Sequence, residues 1–123
     1  MSERKILVVE GDGEIRQLIV SAAGERCEVD TANSCAAAGR ALGAAEYQVV
    51  IIDADLPDAD GLALGKLARG RGSMVIVVPR KSDHFLSSAQ RGFYILARPI
   101  APHRLLELID RAFTRNPFNT APP

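Results

Sequence analysis

Apolar residues along this chain fall into two patterns with different periods. Short unbroken runs recur at Lys5-Ile6-Leu7-Val8-Val9, from Tyr47 to Ile52 and from Met74 to Val78. A run of that length without polar alternation suits a strand buried on both faces of a sheet. Cys27 to Ala32 alternates in character and predicts a more exposed strand, and Phe93 to Ala97 predicts a last one. Between these segments the spacing is helical. Ile15, Leu18, Ile19 and Ala22 predict a helix over 13–25 with Asp12 as its N-cap. Ser34 caps an Ala-rich helix through about Ala44. Leu62, Leu64, Leu67 and Ala68 mark a short helix from Gly61 to Arg69, which Gly70 and Gly72 break. Ser82 to Arg91 carries a weaker pattern in Phe85, Leu86 and Ala89. Pro102 suits the first turn of a final helix whose stripe is Leu105, Leu108, Ile109, Ala112 and Phe113. The pattern predicts one domain over residues 1–114. Residues 115–123, with three prolines and no period, read as a flexible tail or a truncated linker.

Strands alternating with helices imply a parallel sheet covered on both faces. Short connections and right-handed crossovers leave few topologies. The economical one is an α/β fold with a five-stranded, doubly wound parallel sheet of order 2-1-3-4-5, the flavodoxin-like arrangement. In that order the first and third strands are neighbours. Their carboxyl ends then bring Glu10, Gly11 and Asp12 close to Asp53 and Asp55. The carboxyl ends of strands are where open α/β sheets bind ligands.

Composition narrows the function classes. The chain has 123 residues, 47% of them apolar, enough for a full hydrophobic core. Fifteen basic residues balance fifteen acidic ones, so no basic surplus points to nucleic acid or an anionic membrane. No apolar run approaches the roughly 20 residues of a membrane-spanning helix, and the start lacks a signal-peptide core. A cytoplasmic location is expected. Cys27 and Cys35 are expected as reduced thiols and small core fillers, and His84 and His103 lie too far apart to suggest a zinc site. Glu10-Gly11-Asp12-Gly13 lacks the G-x-G-x-x-G spacing, and two carboxylates there would repel a pyrophosphate.

The segment Asp53-Ala54-Asp55-Leu56-Pro57-Asp58-Ala59-Asp60-Gly61 is the most informative in the chain. Its four acidic residues repel one another, which suggests a bound cation or solvent exposure. Together with Ile6-Leu7-Val8-Val9-Glu10-Gly11-Asp12, Ile15-Arg16 and Arg98-Pro99, it makes the chain resemble the receiver domain of two-component response regulators over roughly residues 4–114. The resemblance implies that Asp53 is phosphorylated by a histidine kinase. It implies Mg²⁺ held by Glu10, Asp12, Asp53 and Asp55, the last through its backbone carbonyl, with Arg98 as the basic partner of the site. The expected activity is at most Mg²⁺-dependent self-phosphorylation and dephosphorylation. A kinase, a downstream protein target, no membrane, no DNA-binding segment after residue 114, and a monomer or weak dimer complete the expectation.

The sequence also departs from that family. Relatives carry two adjacent acids after the first strand, where this chain has Glu10 and then Gly11. Relatives place a hydroxyl after the fourth strand, where this chain reads Val77-Val78-Pro79-Arg80. Arg98 stands where relatives have lysine, and Ile95 stands near the usual aromatic of the last strand. Mg²⁺ binding is therefore expected to be weak. The competing reading is a pseudo-receiver, an interaction module with weak or no phosphorylation.

Overall fold

The structure is a computed structural model that describes residues 4–56, 58–79 and 92–115. Strands β1 (Lys5–Val9), β2 (Glu28–Ala32), β3 (Val49–Asp53), β4 (Met74–Val78) and β5 (Tyr94–Ile95) alternate with helices α1 (Gly13–Ala23), α2 (Cys35–Ala44), α3 (Gly61–Gly70) and α4 (Pro102–Arg115). All strand pairs are parallel and the order is β2-β1-β3-β4-β5, as the alternation predicted. The expected helix over Ser82 to Arg91, Pro57 and the tail beyond Arg115 lie outside the described residues.

The unbroken apolar runs are explained by burial on both sides. Along β1, Ile6 and Val8 join one core cluster while Leu7 and Val9 join the other. The same alternation divides Val49 and Ile51 from Val50 and Ile52 on β3. Helices α1 and α4 cover the face of Ile6, with Ile19, Leu105, Leu108, Ile109 and Phe113. Helices α2 and α3 cover the face of Leu7, with Leu42, Leu62, Leu64 and a set of alanines. Cys27 and Cys35 sit half-buried at the rims of the two cores as free thiols, rather than inside them. Among the described residues no helix is long and apolar enough to cross a membrane.

Several boundaries differ from expectation. Helix α1 stops at Ala23, since Gly24 closes the turn on the Val20 carbonyl. Its buried positions are Ile19 and Ala23, while Leu18 is 37% exposed. Leu67 of α3 is likewise half exposed. Strand β5 is only two residues long, although Leu96 N–H still donates to the Val77 carbonyl. Tyr94 packs with the α1/α4 core, and Phe93 with the opposite core. The break after α3 is realised at Gly72, whose φ of 97° lies in the left-handed region that glycine tolerates.

Candidate functional site

The register places the site. Val9 pairs with Ile52, so the residues that follow, Glu10 and Asp53, emerge together at the carboxyl edge of the sheet. Glu10 is anchored by its N–H on the Ala32 carbonyl (3.0 Å) and its carbonyl accepts from Arg16 Nη1 (2.9 Å). Both carboxylates are buried, Glu10 at 1% exposure and Asp53 at 2%. Arg98, from the connection between β5 and α4, reaches across the edge. Its Nη2 lies 3.2 Å from Glu10 Oε1 and 3.6 Å from Asp53 Oδ1. Asp12 N–H donates to Glu10 Oε2 (3.3 Å), and Asp55 N–H donates to Asp53 Oδ1 (2.9 Å). Val78, at the end of β4, pairs with Asp53 and gives the pocket an aliphatic wall. The peptide bond between Arg98 and Pro99 is cis.

Two buried carboxylates side by side cannot both ionise at ordinary cost. Glu10 carries the strain: burial first, then the hydrogen bond and charge of Asp53, push its carboxyl up to about 7. The Asp12 N–H and the Arg98 guanidinium pull the other way and do not overcome the rise.

The remaining acids of the motif have other work. Asp12 caps α1, its Oδ1 accepting from Glu14 N–H and Ile15 N–H. Asp60 caps α3 by accepting from Leu62 N–H (2.9 Å). Asp58 accepts from Cys35 N–H and Ala36 N–H, capping α2 from a different loop, and these bonds hold its carboxyl below the usual range. The sequence reading gave Asp58 and Arg16 no role. Helix α2 has no acid in its first turn, which signalled that its free N–H groups needed an acceptor from elsewhere. Gly61 follows from packing: a Cβ there would collide with the Asp53 carbonyl oxygen and lie 2.9 Å from Ala54 Cα. The Asp-Gly pair thus caps α3 and lets its first turn sit directly on the end of β3.

Sequence reasoning named Glu10, Asp12, Asp53, Asp55 and Arg98. The structure brings Glu10, Asp53 and Arg98 together, supports Asp53 through the Asp55 backbone, and directs the Asp12 carboxylate to the helix. Among the described residues no three His, Cys, Asp or Glu side chains are grouped to hold a metal ion. Mg²⁺ demands a regular octahedron of hard oxygen ligands. Here Gly11 offers no side chain, and the two available carboxylates are already bridged by a guanidinium. The buried polar side-chain atom without a hydrogen-bond partner among the described residues is Arg98 Nε, a donor. A pocket shaped for a cation would be short of donors, not left with a spare one, so these residues do not fit the expected ion.

Comparison with known proteins places this geometry. Over residues 6–110 the sequence matches the response regulator receiver domain. It is 32% identical over 120 residues to the transcriptional regulatory protein PmrA of Pectobacterium parmentieri, covering 91% of this chain and 53% of that one. The chain therefore spans about half the length of this curated relative. The fold is similar to the Francisella response regulator 1452 receiver domain, with a TM-score of 0.81 and 23% identity over 91% of this chain and 98% of that one. It is also similar to the chemotaxis response regulator CheY4 of Vibrio cholerae, with a TM-score of 0.80 and 22% identity over 90% and 99%. With a buried acid pair at the carboxyl edge of a 2-1-3-4-5 sheet and a family match across most of its length, this chain belongs to the response regulator receiver domain family of two-component systems.

Proposed function

We propose that this receiver accepts a phosphoryl group on Asp53 from the phosphohistidine of a histidine kinase and signals through protein contacts. The family is generally a non-enzymatic signalling module that interacts with histidine kinases and downstream targets, and its members generally use Mg²⁺ at the phosphorylation site. The observation that carries the reading here is the Asp53–Arg98 pair at the end of a central strand. In the transfer, a carboxylate oxygen of Asp53 forms the new P–O bond as the P–N bond of the phosphohistidine breaks. Phosphoryl transfer depends on positioning and charge stabilisation. The Asp55 N–H orients the nucleophile, and the planar Arg98 fork suits phosphoryl oxygens. Beside it, Ile15, Leu18, Arg98, Pro99 and Ile100 line an apolar groove of about 250 Å³, which offers a kinase a surface next to Asp53. A cytoplasmic setting accompanies this reading.

A second reading, the pseudo-receiver, is favoured by Val78 and Pro79. They put no hydroxyl beside Asp53 to respond to a phosphoryl group. One experiment separates the two. The chain and its Asp53→Asn variant are incubated with acetyl phosphate or a phosphorylated kinase, and modified peptides are mapped by mass spectrometry. The proposal expects a phosphoryl adduct on Asp53 that is absent from the variant. An unmodified Asp53 under both donors would leave the pseudo-receiver.

A further inference from the structure

We infer that Arg98 is the resident cation of the acidic pocket and keeps divalent metal ions out of it. This concerns the resting pocket, and it stands or falls independently of whether Asp53 is phosphorylated. One nitrogen, Nη2, serves both carboxylates, at 3.2 Å from Glu10 and 3.6 Å from Asp53. A guanidinium is permanently charged, planar and weakly hydrated, which suits a pocket closed to water better than an ammonium would. The Arg98 side chain is itself only 21% exposed and lies along the groove of Ile15, Leu18, Pro99 and Ile100.

A divalent ion entering this pocket would need the same carboxylate oxygens. It would either sit against a fixed positive charge or expel it. Expulsion would require further oxygen ligands in place of those that bind the guanidinium. Gly11 cannot supply one, and the Asp12 carboxylate is committed to two N–H groups of α1. The Asp53 oxygen nearest Arg98 also accepts from Asp55 N–H. Among the described residues Arg98 Nε is a buried donor without a hydrogen-bond partner, which marks a shortage of acceptor oxygens beside the guanidinium rather than of cations.

The test is calorimetric titration of Mg²⁺ and Mn²⁺ into the full chain and its Arg98→Ala and Arg98→Lys variants, with circular dichroism to follow the fold. The native chain should take up neither ion at millimolar concentration, and Mn²⁺ should leave its thermal midpoint unchanged. Arg98→Ala should bind Mn²⁺ tighter by roughly tenfold or more, because the repelling charge is gone. Arg98→Lys keeps a charge but loses the fork, and should fall between the two. If Arg98→Ala folds only when Mn²⁺ is added, the rescue supports the inference. If it does not fold at all, the Arg98→Lys comparison decides alone, and no gain there overturns the inference. Saturable Mg²⁺ binding by the native chain below millimolar concentration would overturn it, as would a folded Arg98→Ala that binds no tighter.

Discussion

The two ends of the sheet are built from the same residue types and solve the problem of charge in opposite ways. At the amino ends of the strands, polar groups meet neutral or oppositely charged partners. Lys5 N–H meets Gln48 Oε1 at 2.8 Å, Ser73 Oγ donates to the Tyr47 carbonyl at 2.6 Å, and Tyr47 donates its hydroxyl to Asp30 at 2.7 Å. The ion pairs there, Arg4 and Arg26 with Asp110, are open to solvent. At the carboxyl ends, two like carboxylates are buried, one arginine serves both, and among the described residues the donor Arg98 Nε is left over. Even the shifted acids differ. Burial and Asp30 push the Tyr47 hydroxyl up to about 12, outside the physiological range, whereas Glu10 is lifted to about 7. One end stabilises the fold. The other carries an electrostatic cost, seen in the raised Glu10 carboxyl, and such a cost persists where a site needs it.

Removing the arginines at the two ends should break the comparison most sharply. Arg98→Ala leaves two buried carboxylates without their shared cation, a change of the kind that costs about 3–5 kcal/mol. Arg26→Ala removes an exposed partner of Asp110 and should cost no more than about 1 kcal/mol. Urea denaturation of both variants at neutral pH, in the absence of divalent ions, measures the difference. Equal losses would mean that Arg98 is a surface ion pair like the rest.

The next effect is the pH dependence of stability. Glu10 rises from 4.5 to about 7 on folding. The fold therefore favours the protonated acid: this contribution is complete below about pH 4.5 and is lost as pH climbs through 7. By the conversion of about 1.4 kcal/mol per unit, the loss across that window is roughly 3 kcal/mol for this group. Glu10→Gln keeps the neutral hydrogen-bonding shape and should flatten the curve between those limits. The native-minus-variant difference in unfolding free energy, measured at several pH values, isolates the effect from other carboxylates. Parallel curves would show that Glu10 does not titrate in this range. Tyr47→Phe, at the opposite end, should leave the slope unchanged there.

A smaller effect concerns how α3 closes the site. Gly61→Ala places a methyl group against the Asp53 carbonyl, and overpacking of that kind costs about 1–3 kcal/mol. Since α3 must lift away from β3, the Asp55 N–H bond to Asp53 should weaken, visible as faster amide exchange at Asp55. Unchanged stability and exchange would mean that the helix start yields freely.

The fold was legible because burial on both faces writes itself into the sequence as unbroken apolar runs. The runs at Ile6, Val50 and Val75 could be nothing but central strands once helical spacing filled the gaps. The site was legible as far as it depended on position along those strands: Asp53 and Glu10 follow directly from strand ends. What could not be read was where side chains point once the chain turns. The N-caps Asp12 and Ser34 were readable, but Asp58 and Asp60 looked like one acidic cluster with Asp53 and Asp55, whereas Asp60 caps α3 and Asp58, 22 residues beyond Ala36, adds to the cap that Ser34 begins on α2. The resemblance put Arg98 beside Asp53, but its second contact, to Glu10 88 residues away, is one that no local pattern encodes. Of the predicted α1 stripe, Ile15, Ile19 and Ala22 pack against the core and Leu18 alone faces solvent, for a related reason. Periodicity names a face, but α4 and the sheet decide how far around the helix that face extends.

The smallest expected effect completes the comparison from the stable end. Asp110 holds Arg4 and Arg26, each at 3.3 Å, with side chains roughly half exposed. At that exposure each pair competes with water and salt, and measured values for such pairs rarely exceed about 1 kcal/mol. Asp110→Asn keeps the shape and some hydrogen bonding, so its loss should stay below about 1 kcal/mol and shrink further as salt is raised. Arg4 also lies 4.8 Å from the centroid of Phe113, so part of its hold on α4 survives the substitution. The measurement is the denaturation midpoint of Asp110→Asn at low and high ionic strength. A salt-independent loss as large as that of Arg98→Ala would mean that the solvent-facing end also holds a buried electrostatic core, and that the contrast between the two ends does not locate the site.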